Sequence, residues 1–147
     1  MVKDFEFISH TADIKLRVYG VTLADLFRHA LIGMFQSLNP QAENCSYNSE
    51  RLVCKTLPIA RDIGINSPDI NALLVDFLSY ALYLSDVHNE AYLDADIKTI
   101  SNTYVQAVIK GVAITGFSGM EIKAVTYHDL DIKQVDGIWQ TDIVFDI

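Results

Sequence analysis

The chain has little with which to staple itself or to hold phosphate. Among 147 residues there are two cysteines, three prolines and one tryptophan, and 11 lysines and arginines stand against 19 acids. The cysteines, Cys45 and Cys54, stand nine residues apart with no CxxC, so neither a zinc site nor a redox pair is indicated. In a reducing compartment they are expected to stay thiols, although sequence does not exclude a disulfide. The net charge of −8 is spread along the chain, with only short basic groupings. A nucleic-acid binder carries a basic face, so direct binding to a phosphate backbone is not expected. The start, MVKDFEFISH, lacks the charged-then-apolar layout of a secretion signal. The longest apolar stretch, ALLVDFLSYALYL, is broken by Asp76 and Ser79 and is too short to span a bilayer comfortably. The expectation is a soluble cytoplasmic protein with no membrane partner.

What is present is apolar pattern. Half of the residues are hydrophobic, enough for one domain, 1–147, with its own core. Ile14, Leu16 and Val18 alternate with Asp13, Lys15, Arg17 and Tyr19, which reads as a half-buried strand ended by Gly20. Thr22 then caps a helix, with Asp25 at its third position and an apolar stripe from Leu23 through Phe27, Leu31 and Phe35 to Leu38. Asn39-Pro40 stops it. One strand is predicted around 51–57, followed by a loop holding Pro58 and Gly64. Ser67-Pro68-Asp69 reads as a second helix start, with Ser67 as cap and Pro68 in the first turn, and the helix runs to about Asp86. Four strands follow, at about 92–100, 104–114, 121–133 and 138–147. Strands and helices are partly segregated, which predicts an α+β fold: a mostly antiparallel sheet or sheets with two helices packed on one face.

The last two strands can be put in register from sequence. Asp136-Gly137 is a strong two-residue hairpin signal. It pairs Val135 with Ile138 and, counting outward, Leu130 with Ile143, His128 with Phe145 and Tyr127 with Asp146. Asp131 then faces Asp142 across the strands, an unfavourable pair. Lys123 falls on the face of Asp146 but about 13 Å along the strand, too far to neutralise it. The chain stops at TDIVFDI, so the Asp146 side chain lies beside the terminal carboxylate of Ile147. Neighbouring anions disfavour each other unless a cation sits between them. Asp13 joins them if the first long strand lies beside the last. Three carboxylates are hard oxygen ligands, suited to calcium, magnesium or manganese rather than to zinc.

Three motifs, HTADIKL (His10 to Leu16), IKAVTYH (Ile122 to His128) and the closing FDI, together resemble the archease family, the activators of the RtcB-type RNA-splicing ligase. The G-x-T-L-x-x-L-F run from Gly20 to Phe27 and the D-x-x-x-L-L-x-x-F-L run from Asp69 to Leu78 extend the likeness over nearly the whole chain. The resemblance implies a cytoplasmic accessory protein, not itself an enzyme, that helps the ligase accept guanylate from GTP and turn over repeatedly in tRNA splicing or RNA repair. It places the acidic metal site on Asp13, Asp146 and the Ile147 carboxylate, and the family's lysine on Lys123, as a cation for a phosphate or a partner carboxylate. The sequence departs from the family pattern at Gly111-Val112, where Gly-Glu is common, and in the short connection from Thr115 to Met120. No GxxxxGK[ST] loop is present, so GTP would be held by the ligase.

Each of these residues also has a plainer reading. Asp13 by spacing alone is a solvated strand residue, and Lys123 the same. His10 is expected to be a buried, hydrogen-bonded histidine supporting a turn, and His128 a core histidine, while His29 and His88 are expected at the surface. Two other function classes compete with the accessory factor. One is a small metal-dependent phosphoester hydrolase using the same carboxylates. The other is a general protein chaperone, which would need a large exposed apolar patch.

Overall fold

A computed structural model describes residues 3–8, 13–119 and 121–147. In chain order the elements are β1 (Phe5–Ile8), β2 (Ile14–Gly20), α1 (Leu23–Ser37), β3 (Pro40–Gln41), β4 (Cys45–Asn48), β5 (Arg51–Cys54), β6 (Ile59–Asn66), α2 (Ile70–His88), β7 (Glu90–Ile100), β8 (Tyr104–Ala113), β9 (Gly116–Phe117), β10 (Ala124–Val125), β11 (Lys133–Val135) and β12 (Ile138–Asp146). Every strand pair is antiparallel. One sheet runs β1-β2-β12-β10, with β11 also on β12, and another runs β6-β8-β7. The pairs β3-β9 and β4-β5 stand apart as small ribbons. The α+β architecture follows the sequence pattern.

The helices form where their patterns place them. Thr22 caps α1 by accepting the Asp25 amide at 3.1 Å, and the predicted stripe is buried from Leu26 through Phe35. α2 packs beside it, with the Phe27 and Phe77 rings 5.6 Å apart, while Phe35 meets Tyr92 of β7 edge-on at 5.4 Å. By length and composition α2 could cross a bilayer, but half of its apolar stretch is buried in this core. Its cap is Asp69, whose side chain accepts the Ala72 amide at 2.8 Å, rather than the predicted Ser67. Ser67 is buried and donates to Asp76 at 2.6 Å instead.

The second sheet is held across its width by charge. Arg61 on β6 reaches past β8 and donates to both oxygens of Glu90 on β7, at 2.9 and 2.8 Å. The Tyr92 hydroxyl donates to the same carboxylate at 2.7 Å. The guanidinium holds Glu90 below the usual carboxylate range, and burial pushes the Tyr92 hydroxyl above its ordinary value. A Cβ on Gly111 would lie 1.9 Å from the Ala91 carbonyl oxygen, so only glycine fits where β8 meets β7. Its neighbour Val112 is buried, which accounts for an apolar residue where a glutamate is common. The short connection after it is strapped to the end of α1 by Ser118 and Gly119 amides donating to the Asn39 and Leu38 carbonyls.

Four expectations are corrected. Residues 59–66 form a strand, not a loop: exposure alternates along β6, and Gly64 sits on its open face as an ordinary strand member. Cys45 and Cys54 are joined in a disulfide, because β4 and β5 form a hairpin that sets them directly opposite. The predicted strand over 121–133 is interrupted. β11 keeps the expected register on β12, Val135 with Ile138, but β10 pairs Ala124 with Asp146 and Val125 with Phe145, a shift of three positions. The chain between them turns at Tyr127–Leu130, with Asp129 in the left-handed region at φ 61°, and its return is pinned by the Ile132 amide donating to Asn71 of α2. His128 therefore sits exposed in that turn rather than in the core, and Asp131 no longer faces Asp142. His29 is mostly buried rather than at the surface, with Nδ1 2.7 Å from the Tyr19 carbonyl oxygen, while His88 is exposed as expected.

Candidate functional site

The site is set by the pairing of β2 with β12, strands from opposite ends of the sequence. Their register runs from Trp139 opposite Gly20 to Val144 opposite Lys15 and Phe145 opposite Ile14. Asp13 and Asp146 are the next residues along each chain from that last pair, at one end of the two strands. Side chains alternate along a strand, so Asp13, Lys15 and Arg17 share one face of β2, and Asp142, Val144 and Asp146 share the matching face of β12. Asp13 is half-buried, Asp146 is exposed, and the Ile147 side chain packs against the core, which fixes the course of the main chain there.

Lys123 is closer than the hairpin count implied. In the shifted register its amide donates to the Asp146 carbonyl at 2.7 Å, and Ala124 lies opposite Asp146. Lys123 therefore adjoins the Asp146–Ile147 end instead of standing four residues away. His10 lies outside the described residues.

The cations nearest on β2 are engaged by other acids. Arg17 donates through Nε and a terminal nitrogen to the two oxygens of Asp142, at 2.7 and 3.1 Å. Lys15 donates to Asp129 at 3.2 Å and also stands 3.6 Å from Asp142. The Arg17 hydrogen bonds hold the Asp142 carboxyl below the usual carboxylate range, and Asp142 in turn raises the Arg17 guanidinium above its ordinary value. Sequence reasoning missed Asp129 and Asp142 as counter-charges. The signal for Asp142 was available, since its position directly opposite Arg17 follows once β2 and β12 are aligned.

Two cavities flank these residues. One of about 710 Å³ is lined by Asp13, Ile14 and Lys15 together with Phe7, Tyr47 and Glu50. The other, about 740 Å³, is lined by Lys123, Ala124 and Val125 with Leu82 and Tyr83 of α2 and Phe117. Among the described residues no group of three or more histidine, cysteine, aspartate or glutamate side chains is assembled as a metal cage. The pairing leaves two side-chain carboxylates, Asp13 and Asp146, next in the chain to the paired residues Ile14 and Phe145. That donor set is all oxygen, which fits a hard divalent cation and leaves most of its coordination sphere to water or to a partner.

A sequence model of the Archease protein family matches residues 5–147. The chain belongs to the archease family. Among its curated relatives, the archease of Methanosarcina mazei is 33% identical, with 99% of this chain and 97% of the relative aligned. The archease of Pyrococcus furiosus is 30% identical over 99% of this chain and all of its own length. Among solved structures, protein 1598 of Methanobacterium thermoautotrophicum superposes with a TM-score of 0.71 at 24% identity, covering 99% of this chain and 100% of that one. The crystal structure of a Thermotoga maritima archease, described as a possible chaperone, gives a TM-score of 0.61 at 20% identity over 95% of this chain and 94% of that one. At these identities the two structures establish the archease fold for this chain. In this chain the shifted β10, with Ala124 opposite Asp146, joins a sheet in which β2 and β12, far apart in sequence, are neighbours.

Proposed function

We propose that this archease-family protein is a cytoplasmic metal-binding accessory factor of an RNA-splicing ligase of the RtcB type, promoting its guanylylation and repeated turnover in tRNA splicing or RNA repair. The observation that supports this reading is the β2–β12 pairing, whose last pair, Ile14 with Phe145, adjoins Asp13 and Asp146, together with the Lys123 amide bonded to the Asp146 carbonyl. Asp13, Asp146 and the Ile147 carboxylate hold a calcium, magnesium or manganese ion, and Lys123 meets a phosphate or a carboxylate of the partner. Such a cation, when bound, would supply positive charge and open coordination positions to a group of the partner. GTP itself stays with the ligase. The chain carries no catalytic step of its own: its residues position the cation and the docking face. On the same face of the sheet, Asp129 and Asp142 pair with Lys15 and Arg17.

The test is a guanylylation assay with the cognate ligase, GTP and manganese, with and without this protein. Acceleration by the wild type, lost in Asp13→Ala and Asp146→Ala and weakened in Lys123→Ala, is the expected result. Acceleration that survives both aspartate substitutions refutes the metal site, and no acceleration at all refutes the partner. Appending two residues after Ile147 should abolish metal binding while every side chain remains. A chaperone reading draws on one feature: Tyr80 and Tyr83 stack at 5.9 Å on the exposed face of α2, next to exposed Val87. Suppressed aggregation of unrelated clients, undiminished by Asp146→Ala, would favour it over the ligase.

A further inference from the structure

The β4–β5 hairpin is the least integrated element of the fold. Its strands pair only with each other. Its tip half is anchored: Leu52 is buried, its amide donates to the Gln36 side-chain oxygen at 2.8 Å, and its carbonyl accepts from the Gln36 amide nitrogen at 3.2 Å. Tyr47 adds a hydrogen bond to the Pro40 carbonyl at 2.7 Å. At the base Cys45 and Cys54 pack against the edge of the core and are joined by their disulfide, and just outside them the Lys55 amide donates to the Asn44 carbonyl at 3.3 Å. Since residues 44 and 55 are the hydrogen-bonded pair, Cys45 and Cys54 are the alternate, non-bonded pair, with Cα atoms 4.0 Å apart. No backbone bond links them directly.

The bond is also reachable. Both cysteines are half-exposed, and a surface groove of about 350 Å³ is lined solely by hairpin-base residues: Asn44, Cys45, Ser46, Val53, Cys54 and Lys55. Lys55 supplies the one charged side chain among the residues that line this groove. The same hairpin supplies Tyr47, Ser49 and Glu50 to the wall of the cavity that holds Asp13 and Lys15.

We propose that the Cys45–Cys54 bridge is a site of reversible thiol–disulfide exchange with a dithiol reductant, and that its state sets how firmly the hairpin closes the cavity beside Asp13. A thiolate of the dithiol attacks one cysteine sulfur, the S–S bond breaks, and the other cysteine leaves as a thiolate. The second thiol of the reductant then displaces the first cysteine. The reductant is oxidised to its own disulfide by loss of two electrons, and its two protons end on Cys45 and Cys54. The tip stays held by Gln36 and Leu52, and the base opens. This inference does not depend on the ligase reading.

The full chain, oxidised with glutathione disulfide, is titrated with dithiothreitol without denaturant. Alkylation and intact mass count the thiols, and amide hydrogen exchange reports local order. The expected result is complete reduction under native conditions, with exchange in Cys45–Cys54 rising by about tenfold or more and exchange in Tyr104–Ala113 unchanged. A Cys45→Ser/Cys54→Ser variant should exchange like the reduced protein and ignore reductant. The proposal is overturned if glutathione disulfide does not form the bridge, if the bridge resists dithiothreitol until the fold is lost, if the hairpin exchanges equally in both states, or if Tyr104–Ala113 loosens along with it.

Discussion

Neutralising Asp142 should loosen the pair of strands that carries the candidate site, and it should do so only above a definite pH. Asp142 and Arg17 face each other across β12 and β2 and share two hydrogen bonds, at 2.7 and 3.1 Å. A charge-assisted hydrogen bond is worth about 1.5–3 kcal/mol when shielded, whereas a fully exposed ion pair contributes about 0–1 kcal/mol. With side-chain exposures of 34% for Arg17 and 19% for Asp142, the pair lies between these limits. Its coupling is expected at about 1.5 kcal/mol once solvent screening is allowed for. A double-mutant cycle of Arg17→Gln and Asp142→Asn isolates that term, and urea unfolding followed by the fluorescence of the sole tryptophan, Trp139, reads it out. The folded-state pKa of Asp142 is lowered, chiefly by its hydrogen bonds to Arg17. Its contribution is therefore fully present above the unfolded value of about 3.9 and fades as pH falls through the lower folded value. The coupling should be full at pH 7 and should shrink as the pH is taken below about 4. A cycle giving less than about 0.3 kcal/mol at neutral pH, the usual limit of additivity, would refute the clamp. A value undiminished in strong acid would refute its ionic character.

Gln36→Ala removes both partners of the buried Leu52 backbone and should lower stability by about 2 kcal/mol, seen as an earlier urea midpoint and faster exchange at Leu52. Gly111→Ala drives a methyl group against the Ala91 carbonyl and should cost about 3 kcal/mol, whereas Gly116→Ala, with open space around its Cα, should barely move the thermal midpoint.

Much of this structure was written in local pattern. The cap at Thr22, the stripe of α1 and the alternation of β2 each follow from a few neighbouring residues, and the condition for the acids to approach, the first long strand beside the last, is met by β2 and β12. What local pattern missed depended on distant partners. Ser67 looked like a cap because Asp76, its actual partner, is a turn and more away along α2. Gly64 read as a loop because its neighbours on β8 were not visible from its own surroundings. The hairpin count from Asp136-Gly137 was right for β11 and then failed, because the chain leaves β12 to bond Asn71 and returns three positions out of step. The cysteines were judged by motif spacing, and polar NCSYNSE concealed a strand that set them face to face. At the site, the closeness of Lys123 to Asp146 was not legible, since it depends on that same break in register.

The position of β12 has a consequence for how the protein is made. This strand is the last in the sequence, yet it lies inside its sheet, with β2 on one side and β10 and β11 on the other. Arg17 and Asp142, which meet across it, are separated by 125 positions. At roughly 5–20 residues per second of synthesis, the β1–β2 ribbon waits on the order of 6–25 s with an unfilled edge before its neighbour exists. On the ribosome the other sheet and both helices can assemble first, and the half that bears the acids is completed only once β12 has been made.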